Sequence, residues 1–258
     1  MKNVFALLLM LALAFCIAGC GTTTPAQTPE ALTISAAASL TDALNKIVAD
    51  YAAVAPTVKI TVNYGASGAL QTQIENGAPA DIFFSAASKQ MEALNDAGLM
   101  MSDSIVKLLK NEIVLVIPAD SKLPIDAFED VATNTVNKIA IGDVASVPAG
   151  QYAQETFTAL TLWDKISAKV VFGSDVRQIL SWVSAGEVDC GVVYSTDAES
   201  DDTVKVAASA PTDAHKAIVY PVGIVKASVQ QAAAADFIKY LQSDEGLAVF
   251  TTYGFLAG

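Results

Sequence analysis

Short apolar runs alternate with helix-patterned segments from residue 31 to the end of the chain, and no other feature of the sequence restricts the fold as strongly. Leu32-Thr33-Ile34-Ser35 reads as a strand entering the small-residue turn Ala36-Ala37-Ala38. Leu40, Leu44, Ile47, Val48 and Tyr51 then recur at helical spacing. Val58 to Val62 alternates apolar and polar residues as a strand does, and Leu70 with Ile74 marks a short helix. Ile82-Phe83-Phe84 and the run Ile113 to Ile117, closed by Pro118, are further strands, with a helix around Met91 to Leu94 between them. The second half repeats the pattern: strands at Ile139 to Ile141, Val170 to Phe172 and Gly191 to Tyr194, helices over Tyr152 to Leu160 and over Val176 to Ala185 before Gly186. Ile218 to Tyr220 returns as a strand, and Ala232 to Leu241 and Glu245 to Tyr253 are helical. Repeated βα units of this kind imply an α/β fold of mixed, mostly parallel sheets with helices on both faces.

The N-terminus follows different rules. Met1-Lys2 supplies a positive start and Val4 to Ala18 is one apolar run. That run is shorter than the ~20 residues a membrane-spanning helix needs and has the length of a secretory signal. It ends in Ile17-Ala18-Gly19-Cys20, which resembles a bacterial lipobox, where the thiol of Cys20 accepts the lipid. Residues 1–20 are therefore expected to be a lipoprotein signal peptide, and residues 21–30 (GTTTPAQTPE) a flexible Thr/Pro-rich linker. The mean hydropathy of +0.44 owes part of its height to this leader. The expected location is outside the cytoplasmic membrane, held to its outer face by a lipid.

Composition removes several kinds of chemistry. With 15 basic against 27 acidic residues the net charge is −12, which argues against a nucleic-acid partner. A single Arg (Arg177) and a single His (His215) disfavour His-cluster metal sites and Arg-clamped phosphates. Of three cysteines, Cys16 leaves with the leader and Cys20 is the lipid site. Cys190, in the apolar context Val188 to Val193, reads as a core thiol rather than a nucleophile.

Several βα turns share a chemistry. Ser39 and Ser67 each stand between a strand and a helix among small residues, and Pro148-Ala149-Gly150 and Ser174-Asp175-Val176 each open a helix. Unpaired N–H groups at a helix start favour an anion, and small neighbours let the backbone approach it. A plain N-cap explains any one of these turns equally well. Asp175 is expected to cap its helix and to pair with Arg177.

The chain resembles the molybdate-binding proteins of ABC transporters, within the type II periplasmic binding-protein superfamily. The resemblance rests on Ala36 to Thr41 (AAASLT), Gln73 to Phe83 (QIENGAPADIF), Gly142-Asp143 with Val147 to Ala153 (VPAGQYA), Asp175-Val176-Arg177, Gly191 to Ala198 (GVVYSTDA) and Tyr253-Gly254-Phe255, in the family's order. It implies a two-lobe Venus-flytrap fold crossed twice by the chain, with residues 31–111 and 217–258 in lobe 1 and 112–216 in lobe 2. It implies a substrate-binding protein rather than an enzyme, holding its ligand with hydroxyls and backbone N–H groups: Ser39, Ser67, the N–H groups of Ala149 and Val176, and the phenol of Tyr194. Molybdenum would be held only as the molybdate oxyanion through these five residues, with tungstate as a second ligand and no cofactor. The partner implied is an ABC transporter permease, and the expected state is a monomer. The second-serine turn is often Ser-rich in the family, whereas here it is Gly65-Ala66-Ser67-Gly68.

Molybdate, tungstate and sulfate are fully ionised at neutral pH and only accept hydrogen bonds, so a site of donors suits them. Hydrogen phosphate carries a proton that needs an acceptor. Three other readings stand beside this one: the same fold with another oxyanion such as sulfate, a secreted serine hydrolase using Ser67 with Asp213 and His215, and a structural lipoprotein. The hydrolase reading is weakened by Gly68, which follows Ser67 one residue too early for a nucleophile elbow.

Overall fold

The computed structural model describes residues 30–258. The expected signal peptide (1–20), Cys20 and residues 21–29 of the expected linker lie outside the described residues. Glu30, assigned above to the linker, is instead the first residue of strand β1 (Glu30–Ala37), because its backbone pairs with Val58.

After β1 the chain forms α1 (Thr41–Val54), β2 (Val58–Gly65), α2 (Ser67–Glu75), β3 (Ile82–Phe84), α3 (Ser88–Asp96) and β4 (Val106–Lys110). Two residues later it begins β5 (Ile113–Pro118) in a second sheet. That sheet is completed by β6 (Ile139–Gly142), α4 (Pro148–Ala159), α5 (Trp163–Ile166), β7 (Val170–Gly173), α6 (Val176–Ser184), β8 (Cys190–Tyr194), α7 (Ser195–Glu199) and β9 (Val204–Ser209). The chain then returns through β10 (Val219–Ile224), α8 (Gln231–Leu241), α9 (Asp244–Thr252) and β11 (Leu256–Ala257). The strand orders are β11-β4-β10-β3-β1-β2 and β7-β6-β8-β5-β9.

Both sheets are mixed, as expected, but parallel pairing does not dominate them. Only β1–β2, β1–β3, β6–β7 and β6–β8 are parallel. The strands next to the crossings, β4, β5, β9 and β10, pair antiparallel throughout. The reason is connectivity: a crossover helix forces parallel neighbours, whereas a strand that arrives from the other sheet is free to run either way. β4 and β9 carry lysines among their apolar residues, and so do not stand out as apolar runs.

One core cluster runs through both lobes, and a smaller separate one gathers Leu70, Ile74, Phe83, Met91 and Leu94 in the first. Phe83, Phe84 and Phe237 are fully buried, and Cys190 is a buried thiol pushed up to about 12 by burial, consistent with core packing. Tyr194 at the end of β8 and Tyr220 in β10 stack edge to face with ring centroids 5.6 Å apart, and Tyr220 meets Phe255 at 5.4 Å. These rings join the two lobes where the chain crosses. The crossings also touch each other, since the Asn111 N–H donates to the Ile218 carbonyl at 3.3 Å. No helix among the described residues is long and apolar enough to cross a membrane.

The start of α4 is set by a close backbone approach. A Cβ on Gly150 would overlap the carbonyl oxygen of Gly142 at the end of β6, where neither backbone can yield. Gly150→Ala is expected to cost ~1–3 kcal/mol by overpacking, read from urea unfolding; an unchanged midpoint would show that the approach carries no such constraint.

Candidate functional site

All five expected ligand residues stand where a strand gives way to a helix. Ser39 follows β1 in a single 3-10 turn leading into α1, and Ser67 is the first residue of α2. Pro148 is the first residue of α4 and has no N–H, so the first donor of that helix is Ala149. Val176 is the first residue of α6. The fifth, Tyr194, closes β8.

The structure brings all five to one cavity between the lobes, of about 10 Å³ and with walls built largely from Ala37, Ala38, Gly65, Ala66 and Ala86. Ser39 and Ser67 come from the first lobe; Ala149, Val176 and Tyr194 come from the second. All five are buried. So small a space lies far below the ~300–1,000 Å³ usual for organic ligands, which excludes a ligand of that size.

Two of the helices that open on the cavity, α2 and α4, have no side-chain cap. The N-cap residues of α2 and α4 are Ala66 and Val147, which offer no side-chain acceptor. Their first-turn N–H groups have no intrahelical partner either. By contrast, α9, away from the cavity, is capped by Ser243 through Gly246. The Tyr194 hydroxyl is buried on the lining and has no hydrogen-bond partner in the protein. Burial holds it, and the Tyr220 hydroxyl, well above the ordinary tyrosine range, so both keep their protons. Ser67 Oγ accepts the Ala86 N–H at 2.9 Å, which leaves its own proton for the cavity.

Among the described residues, Asp175 is the one carboxylate on the lining. It caps α6 as expected, accepting the Gln178 N–H at 3.0 Å. The expected pairing of Asp175 with Arg177 does not occur, because residues two apart on a helix do not share a face. Arg177 reaches instead to Asp42 of α1 at 2.7 Å and to Ser200 Oγ at 3.0 Å. Its Nε lies 2.9 Å from the fully buried Asp197 Oδ1, off the hydrogen-bond axis. The lone arginine therefore ties the two lobes together outside the cavity.

Three features of the site gave no signal in the sequence. Gly68 donates its N–H to Ser146 of the other lobe at 2.9 Å, and a Cβ there would stand 2.5 Å from the Ser146 carbonyl oxygen. Tyr220 contacts Ser39, with hydroxyls 2.9 Å apart, and Asn111 in turn contacts Tyr220. Each contact spans more than seventy residues, so only a Gly next to the second serine could have hinted at the first of them. The hydrolase reading fails on geometry: Asp213 and His215 line an open groove with Glu155 and Thr158, away from the cavity that holds Ser67.

Burial raises Asp197 from 3.8 to about 7, with Arg177 opposing the rise and the Asp42 and Asp175 charges adding to it. A carboxyl with a raised native pKa stabilises the fold below its unfolded value and loses that contribution as pH climbs through the native one. The stability of the wild type minus that of Asp197→Asn is expected to fall between pH about 4 and about 7. Chemical denaturation across that window checks it, and a rising or flat difference would contradict it.

With this geometry in hand, comparisons place the chain among known proteins. Residues 32–256 match the family of bacterial extracellular solute-binding proteins. A Bacillus subtilis protein named as a candidate ABC transporter substrate-binding lipoprotein is 47% identical over 244 residues, 93% of each chain. The molybdate-binding protein of Haemophilus influenzae is 42% identical over 247 residues, 95% of this chain and 96% of the relative. Among solved structures, the substrate-binding domain of a candidate molybdenum ABC transporter from Clostridium difficile superimposes with a TM-score of 0.68 at 45% identity, covering 88% of this chain and 98% of that one. The chain belongs to the bacterial extracellular solute-binding protein family.

Proposed function

We propose that this protein captures molybdate, and tungstate with it, outside the cytoplasmic membrane and hands it to the permease of an ABC importer. The observation that carries the reading is the Tyr194 hydroxyl, buried and unpartnered on a cavity that Ser39, Ser67, Ala149 and Val176 also line. An oxyanion there would accept from three hydroxyls and from first-turn N–H groups, with no cation and no cofactor needed. The relative named as molybdate-binding supports the choice of ion.

The lobes divide at residues 111/112 and 216/217 in this reading, and the two short crossings act as the hinge. The anion bonds to donors of both lobes only when they meet, so its differential affinity supplies the free energy of closure. Docking on the permease and reopening would release it. The protein works as a monomer carrier and catalyses nothing. Cys20 bears the lipid that keeps it at the membrane surface, as the name of the Bacillus relative suggests for that protein.

Calorimetry is expected to show molybdate binding at micromolar affinity or tighter, competed by tungstate and only weakly, if at all, by phosphate. Sulfate bound in preference to molybdate would move the assignment to another oxyanion of the same class, and phosphate bound with molybdate ignored would overturn it. Tyr194→Phe should weaken molybdate by ~1.5–3 kcal/mol, the worth of a hydrogen bond to a charged group, without lowering the stability of the free protein. Gly68→Ala should weaken binding through closure alone, since its Cβ meets Ser146 of the opposite lobe. Labelled fatty acid should enter the wild type but not Cys20→Ala.

A further inference from the structure

The direction of the hydrogen bonds around Ser39 follows from one amide. Asn111, at the first crossing, accepts the Glu112 N–H at 2.8 Å and the Ser195 hydroxyl at 2.9 Å on its Oδ1. A backbone N–H can only donate, so the amide cannot be turned over, and its Nδ2 must face the other way. There it donates to Thr196 Oγ1 at 2.9 Å and to the Tyr220 hydroxyl at 3.3 Å. Tyr220 oxygen is thereby an acceptor, and its single proton has one remaining partner, Ser39 Oγ at 2.9 Å. The opposite sense, with Ser39 donating to Tyr220, would turn the buried phenol proton away from its 2.9 Å partner and toward the neighbouring Tyr194 hydroxyl, with which it makes no well-formed hydrogen bond. Asn111, Tyr220 and Ser39 are all buried, so water does not relax this constraint.

We propose that Asn111 and Tyr220 form a polarity relay that commits the Ser39 proton to the cavity, so that Tyr220 is a positioning residue which favours ionised over protonated anions. The inference rests on the oxyanion reading above. A serine hydroxyl is otherwise ambivalent: free to rotate, it can donate to an ionised oxygen or accept from a protonated one. Here one of its two lone pairs is engaged by Tyr220, which leaves its proton for the cavity it lines. Ser67, whose oxygen accepts from Ala86, is polarised in the same sense by a backbone group. Hydrogen phosphate would then meet two hydroxyls whose protons already face it, and the one carboxylate on the lining among the described residues, Asp175, is already engaged as a helix cap.

Two substitutions test the relay, with affinities for molybdate and for phosphate measured by calorimetry at pH 8, where phosphate carries one proton. Tyr220→Phe removes the donor to Ser39, and the freed serine can accept. Asn111→Asp keeps the shape but accepts the Tyr220 proton, which turns the phenol oxygen toward the Ser39 proton and reverses the chain. Each should narrow the molybdate-to-phosphate affinity ratio by about tenfold, in line with the relief of one stranded donor. On a Ser39→Ala background neither should change the ratio. A merely structural role would weaken both anions by one factor, and the carboxylate charge that Asn111→Asp introduces would repel both dianions alike, so an unchanged ratio in either folded variant overturns the relay. A wild type that binds none of these oxyanions defeats the underlying reading instead; a wild type that prefers molybdate, with ratios unmoved in the variants, defeats the relay alone.

Discussion

A backbone N–H reaches a small ion only where no side chain stands between them, and the lobes of this protein are shaped around that requirement. The chain meets it with alanine and glycine at the turns that face the cavity and with helix starts whose N-cap residues lack side-chain acceptors. Pro148 belongs to the same device, because it begins α4 without spending a donor. The cost is local: these helix ends lack the capping bond that Ser243 gives α9. A ligand carrying acceptors on every side would restore what the caps withhold.

The same arrangement explains how a strongly acidic protein can hold an anion. The net charge of −12 acts over distances at which salt screens it, whereas dipoles and hydroxyls within hydrogen-bond reach act unscreened in a buried cavity. The one arginine is kept out of the cavity and joins Asp42 of one lobe to Asp197 of the other. Its pairing with the exposed Asp42 is weak. The buried Asp197 is the opposite case, a carboxyl whose burial outweighs its neighbouring cation.

Much of the fold is legible in the order of residues. Strands such as Ile113 to Ile117 and Gly191 to Tyr194 are apolar because they are covered on both faces, and helices such as Val176 to Ser184 carry a clear 3.6-residue pattern. Strands whose apolar residues are mixed with lysine, β4 and β9, leave no comparable mark, because half of each faces solvent or an edge. The βα pattern overstates parallel pairing for a related reason. Local pattern identifies a strand, while its direction in the sheet depends on where the chain last came from.

The site divides along the same line. Ser39, Ser67, Ala149 and Val176 stand at βα junctions whose small and capping residues mark them in the sequence, whereas Tyr194, at the end of an apolar strand, is indicated only by the family resemblance. That they converge on one cavity is a product of the two crossings, which face one sheet's βα turns toward the other's. Which groups can donate is written in the chain itself, since small residues, hydroxyls and helix starts are properties of a few consecutive positions. Which way those hydroxyls point, and what keeps the lobes together, is settled only by packing across the fold. Asn111, Tyr220, Gly68 and Arg177 act through partners more than seventy residues distant, or on another element, and no local pattern encodes a contact of that length.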